Sequence, residues 1–109
     1  MLDKELMKGS IDILLLSLIA ERDMYGYEIT KELKEKSDNL YHMSEGTLYP
    51  ALNRLHKKGW VISYWGDNEA QGRRKYYQIT DAGTEELQRK VSEWNTIHSL
   101  VSKVAKGYV

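Results

Sequence analysis

Apolar residues crowd the first part of the chain. Ile11, Ile13, Leu14, Leu15, Leu16, Leu18 and Ile19 leave almost no polar side to the segment they occupy. With Ser10 ahead of them as a cap, the pattern predicts a first helix over 10–21. A helix apolar all round is buried all round, and one small domain offers few walls. Part of this helix is therefore expected to meet a second subunit. A second helix over 25–36 follows from Tyr25, Ile29 and Leu33 at i, i+4 and i+8, and Ser37-Asp38-Asn39 ends it. Ser44 then reads as the N-cap of a third helix, with Met43 and Leu48 in hydrophobic-staple positions and Gly59 as its stop.

From Trp60 the period changes. Trp60-Val61-Ile62-Ser63-Tyr64-Trp65 and Lys75-Tyr76-Tyr77-Gln78-Ile79-Thr80 are rich in β-branched and aromatic residues, and a polar, glycine-punctuated stretch from Gly66 to Gly72 separates them. That pattern is a β-hairpin with a long tip. Thr80 caps a final helix over 81–106. The order helix, helix, helix, hairpin, helix is that of a winged helix-turn-helix. The fold class is mainly α with a small β-hairpin, plus a C-terminal helix. Residues 1–80 form the winged unit, and residues 81–109 form a C-terminal helix packed as one unit with the first helix.

At 109 residues the chain suits one compact domain, and with 41% hydrophobic residues and a single proline it suits regular structure. Cysteine is absent, so disulfides and thiolate metal sites are excluded. The apolar run is too short to span a bilayer, and the N-terminus lacks the features of an export signal. A cytoplasmic protein without membrane contact is expected. The formal net charge is zero, unusual for a nucleic-acid binder. Its distribution matters more: between residues 37 and 79, six cations face four carboxylates. Any basic surface is local, and it coincides with the third helix and the hairpin.

On a helical wheel, Leu48, Leu52 and Leu55 point inward. Gly46, Pro50, Asn53 and Lys57 point outward, flanked by Thr47, Tyr49 and Arg54. Gly46 and Pro50 are poor helix formers, and Pro50 cannot donate to the Gly46 carbonyl. Asn, Arg and Lys supply the donors that base edges and phosphates accept. This face, with Ser44 at its start, is a candidate DNA-reading surface. At the hairpin, Gly72-Arg73-Arg74-Lys75 places Arg74 on one face of the strand and Arg73 and Lys75 on the other. Such an edge can lie along a phosphate backbone or enter a minor groove. Taken alone, it would equally protect an exposed hairpin edge.

The last helix carries Leu87, Val91, Trp94, His98, Val101 and Ala105 at alternating spacings of four and three, an a/d seam widened by Ile97, Leu100 and Val104. One such helix beyond a complete domain needs a partner. The expected homodimer interface comprises Ile11, Leu15, Leu18, Leu87, Val91, Trp94, Ile97 and Val101. Scattered histidines, no cysteine, no paired carboxylates and no phosphate-cradling glycine loop argue against an enzyme, and no cofactor or metal site is expected. Two readings of other classes remain: a DNA-binding regulator, or a winged-helix protein-interaction module without DNA binding.

Three stretches then resemble the PadR family of bacterial transcriptional regulators. They are Tyr25-Gly26-Tyr27-Glu28-Ile29, Gly46-Thr47-Leu48-Tyr49-Pro50-Ala51-Leu52 with Arg54-Leu55, and Gly72-Arg73-Arg74-Lys75-Tyr76-Tyr77 with Thr80 and Gly83. The length is similar to that of the family's small subgroup, which has a single C-terminal dimerisation helix. The resemblance implies a dimeric repressor that reads a double-stranded DNA operator with its third helix and touches flanking DNA with its wing. It further implies release by a small-molecule or stress signal, with Trp94 and His98 as candidate contacts for a small aromatic ligand. A tryptophan packed solidly in the interface is the competing reading.

Overall fold

The computed structural model describes residues 2–68 and 72–108. A short helix α1 (Lys4–Lys8) precedes α2 (Ile11–Glu21), strand β1 (Met24–Tyr25), α3 (Gly26–Lys36) and α4 (Glu45–Lys57). Strands β2 (Val61–Asn68) and β3 (Gly72–Ile79) form the hairpin, and α5 (Asp81–Val104) closes the chain. The winged-helix order read from the sequence is present, and residues 69–71 of the expected hairpin tip lie outside the described residues. Two small elements carry no sequence period. Helix α1 starts where the Asp3 carboxylate accepts the Glu5 N–H at 2.7 Å. Strand β1 pairs antiparallel with β3 through Met24 with Tyr77 and Tyr25 with Tyr76, so the sheet order is β1-β3-β2.

The helix ends follow local chemistry. The Glu28 carboxylate accepts the Tyr25 N–H at 3.2 Å and fixes the start of α3. Ser37 ends it, and Asp38 and Asn39 take left-handed conformations with φ of 52° and 66°. At the end of α4 the Gly59 N–H reaches the His56 carbonyl and the Trp60 N–H reaches the Leu55 carbonyl, both at 3.0 Å. This is the Schellman arrangement, and it needs the left-handed φ of 78° that Gly59 supplies. Thr80 caps α5 by accepting the Gly83 N–H at 3.0 Å. Ser10 and Ser44 occupy their expected cap positions, yet neither side chain bonds the backbone. Ser44 Oγ donates instead to Thr47 Oγ1 at 3.2 Å.

Helix α2 lies at the centre, packed against α3, α4, β3 and α5. Leu15, Leu16, Ile19, Met24, Ile29, Leu48, Leu52, Leu55 and Val61 are fully buried. Each such side chain contributes about 1.5–3 kcal/mol relative to exposure. Of the residues expected to meet a partner, Leu15 is fully buried by the chain itself and Ile11 and Leu18 nearly so, whereas Ile13 and Leu14 of the same helix are only partly buried. The chain supplies most of the walls around this helix.

The start of α5 docks by close backbone approach. A methyl group at Gly83 would sit 2.1 Å from the Trp60 carbonyl oxygen and 2.8 Å from Ile79. Thr80 fastens the same point, donating its N–H to the Trp60 carbonyl at 3.0 Å and its hydroxyl to the Gly59 carbonyl at 2.7 Å. Lys58 and Lys90 place their ammonium groups 5.9 and 5.2 Å from the Trp60 ring. Beyond Leu87, which packs on the core, the helix runs out with its apolar residues uncovered.

Candidate nucleic-acid interface

Helix α4 turns Leu48, Ala51, Leu52 and Leu55 inward, and Gly46, Thr47, Tyr49, Pro50, Asn53, Arg54 and Lys57 are exposed. Packing inside the chain does not require Gly46. A methyl group there would meet only Ser44 Oγ, at an ordinary 3.8 Å. Its smallness is not explained by contacts within the chain. Pro50 sits within the helix on the outward face, where a carbonyl without its helical donor is open to water or a ligand.

Two members of the set are drawn away from the face. Arg54 forms an ion pair with Asp12 of α2. Tyr49 lies over the start of α3, its hydroxyl only 2.4 Å from where a methyl group at Gly26 would sit. Gly26 is thus a packing glycine. Burial pushes the Tyr77 phenol above its ordinary range, and the nearby Tyr49 adds to the shift. Thr47, Asn53 and Lys57 remain exposed polar groups of the face.

The wing is held from both sides. On one face Tyr64 stacks on Tyr76 with centroids 5.7 Å apart, and Tyr76 meets Tyr25 edge-on at 5.4 Å. The Tyr76 ring lies across Gly66, where a methyl group would come within 2.7 Å of it. Tyr64 donates its hydroxyl to Asp23 Oδ2, and Gln78 Nε2 donates to the same oxygen at 3.4 Å. That hydrogen bond pushes the Tyr64 phenol up to about 12. Arg74 belongs to this face, 5.9 Å from the Tyr25 ring, and it donates to the Arg73 carbonyl at 3.1 Å. On the other face Lys75 opposes Trp65 and Arg73 opposes Asp67, with the Arg73 guanidinium 5.1 Å from the Trp65 ring. The sequence reading placed Trp65 in the first hairpin strand but gave it no part in the site. Strand alternation combined with the register places it beside Arg73 and Lys75, and the register became visible only in the fold. Gly72 opens β3 with a left-handed φ of 80°.

On α5, Trp94 stacks on His98 with centroids 5.2 Å apart and planes 6° from parallel. Trp94 is 46% exposed, and Val91, Ile97, Leu100, Val101 and Val104 are exposed with it. Leu87, also an interface candidate, is partly buried against the chain's own core. Among the described residues no helix is long and apolar enough to cross a membrane.

The profile of the Transcriptional regulator PadR-like family matches residues 15–89, from the middle of α2 into α5. The chain belongs to the PadR-like family. A structure of a transcriptional regulator from Clostridium thermocellum is 40% identical, with a TM-score of 0.88 over 97% of this chain and 100% of that one. A PadR family transcription regulator from Clostridium difficile R20291 is 37% identical, with a TM-score of 0.77 over 88% of this chain and 98% of that one. The Negative transcriptional regulator PadR of Bacillus subtilis is 25% identical over 84% of this chain, which spans 48% of that regulator's length. The PadR-like chain is thus a transcriptional regulator by family, and its relatives are regulators rather than enzymes.

Proposed function

We propose that this protein is a cytoplasmic, homodimeric, sequence-specific DNA-binding repressor. Residues 1–80 form its reading unit and residues 81–109 its dimerisation helix. One observation carries the reading: α4 presents an exposed Gly46/Thr47/Pro50/Asn53/Lys57 face that internal packing does not explain. The cationic edge of the wing, Arg73 to Lys75, supplies phosphate contacts beside it. The word "negative" in the name of the Bacillus subtilis relative supports repression. The apolar row Val91, Trp94, Ile97 and Val101 supports pairing through α5. Two α5 helices would bring two Trp94–His98 stacks into one interface, and a planar aromatic ligand received there would change dimer geometry and release the DNA.

A gel shift with the DNA upstream of the protein's own gene, run over a salt series, tests the proposal. A discrete complex should form, with log affinity falling linearly in log salt. Asn53→Ala should cost about 1–3 kcal/mol on the operator and little on random DNA. The zero net charge favours one alternative, a protein-interaction module. A chain that binds no DNA even at low salt would establish that alternative over this proposal.

A further inference from the structure

Five arginines occur in the chain, and four are committed to acceptors within it. Arg22 pairs with Glu28 and Glu32, Arg54 with Asp12, and Arg89 with Glu86 and Glu93. Arg74 donates to the Arg73 carbonyl. Arg73 differs. Among the described residues, no acceptor takes any of its N–H groups, although Asp67 is its cross-strand partner. Its guanidinium lies instead 5.1 Å from the Trp65 ring. Trp65 is itself 59% exposed on the edge strand β2, so packing of the core does not explain an indole there.

A cation–π contact explains both facts. A guanidinium held over an aromatic ring by cation–π attraction is retained without an acceptor oxygen, so its N–H donors remain available for a ligand. An ion pair with Asp67 would consume those donors; the indole holds the same group and consumes none. Lys75, directly across from Trp65, adds a second cation on this face, and Asp67 is its nearest cross-strand carboxylate. From this geometry we propose that Trp65 is a positioning residue for DNA binding. Its indole holds the Arg73 guanidinium in place on the wing, so that a phosphate of the DNA backbone meets a preset fork of donors. Binding then orders one long side chain less. The inference rests on the DNA-binding reading above.

A double-mutant cycle in DNA affinity tests it, using Trp65→Leu, Arg73→Ala and the combination in the full-length protein. Arg73→Ala should lower affinity and reduce the salt slope by about one unit for each wing engaged. Trp65→Leu should lower affinity roughly 2- to 5-fold per wing while leaving the slope unchanged, because the charge remains. Trp65→Phe, which keeps a ring, should recover most of the loss. In the Arg73→Ala background, Trp65→Leu should have no further effect. Equal losses with and without Arg73 would overturn the proposal and make the indole an independent contact. So would a Trp65→Leu loss that Trp65→Phe fails to recover, or full affinity in Trp65→Leu. If Arg73→Ala weakens binding and Trp65→Leu does not, DNA binding through the wing stands and only the positioning role falls. A change in dimerisation on Trp65→Leu, read by sedimentation, would assign the indole to the partner chain and also overturn it.

Discussion

The winged body and the outer part of α5 are built from the same kinds of residue to opposite ends. In the body, Leu15, Leu16 and Ile19 of α2 and Leu48, Leu52 and Leu55 of α4 are fully buried among neighbours from the same chain. On α5, Ile97 and Leu100 are each 59% exposed and Val104 is 79% exposed. The family profile stops at Arg89, close to the boundary between the two regimes. A single chain completes its first core and leaves a second one half built. Apolar exposure of that kind, in one continuous row, marks an interaction surface.

The largest expected effect would come from removing the second surface without touching the first. Ile97→Asp with Val101→Asp should leave the body folded by circular dichroism and make the protein monomeric by sedimentation. Operator affinity should then fall roughly 10²–10⁴-fold, the amount that linking two binding modules commonly adds. A dimeric double variant would break the comparison outright. The next effect separates the regions by concentration. Leu52→Ala should cost about 2–5 kcal/mol in chemical denaturation whatever the protein concentration. Leu100→Ala should destabilise only where dimer is present, so its cost should shrink on dilution. The smallest effect concerns Gly46. Gly46→Ala should stabilise the fold by about 0.5–1 kcal/mol through the lower backbone entropy of its unfolded chain, yet weaken the operator complex. Greater stability with unchanged DNA affinity would remove Gly46 from the reading face.

The sequence was most legible where one residue type determines one conformation. Ser44 marks the start of α4, Gly59 its end, and Thr80 the start of α5. It was least legible where the answer depends on residues distant in the chain. Strand β1 has two residues, too few for any period, and it exists because β3 offers an edge. The extension of β2 to Asn68 likewise comes from backbone pairing, which polar residues sustain as well as apolar ones. The burial of Leu15, Leu16 and Ile19 in α2 followed from the apolar pattern, but the elements that cover them, α3, α4, β3 and α5, did not. In the candidate site, Asn53 and Lys57 were identifiable from the wheel. The diversion of Arg54 to Asp12, 42 residues away, was not. Nor was the cation–π contact of Arg73 with Trp65, since it depends on hairpin register.

The close approach at Gly83 joins the two regions mechanically. Helix α5 has 24 residues, so it is a rigid arm about 36 Å long with its fulcrum where Gly83 touches the Trp60 carbonyl. Trp60 is the residue whose N–H closes the end of α4, and β2 begins at the next position. With no side chain between arm and fulcrum, there is little compliant material to absorb a rotation. A shift of about 3 Å at the far end of such an arm corresponds to a tilt of about 5° at the pivot. Leverage of this kind would reach the end of α4 and the root of the wing together.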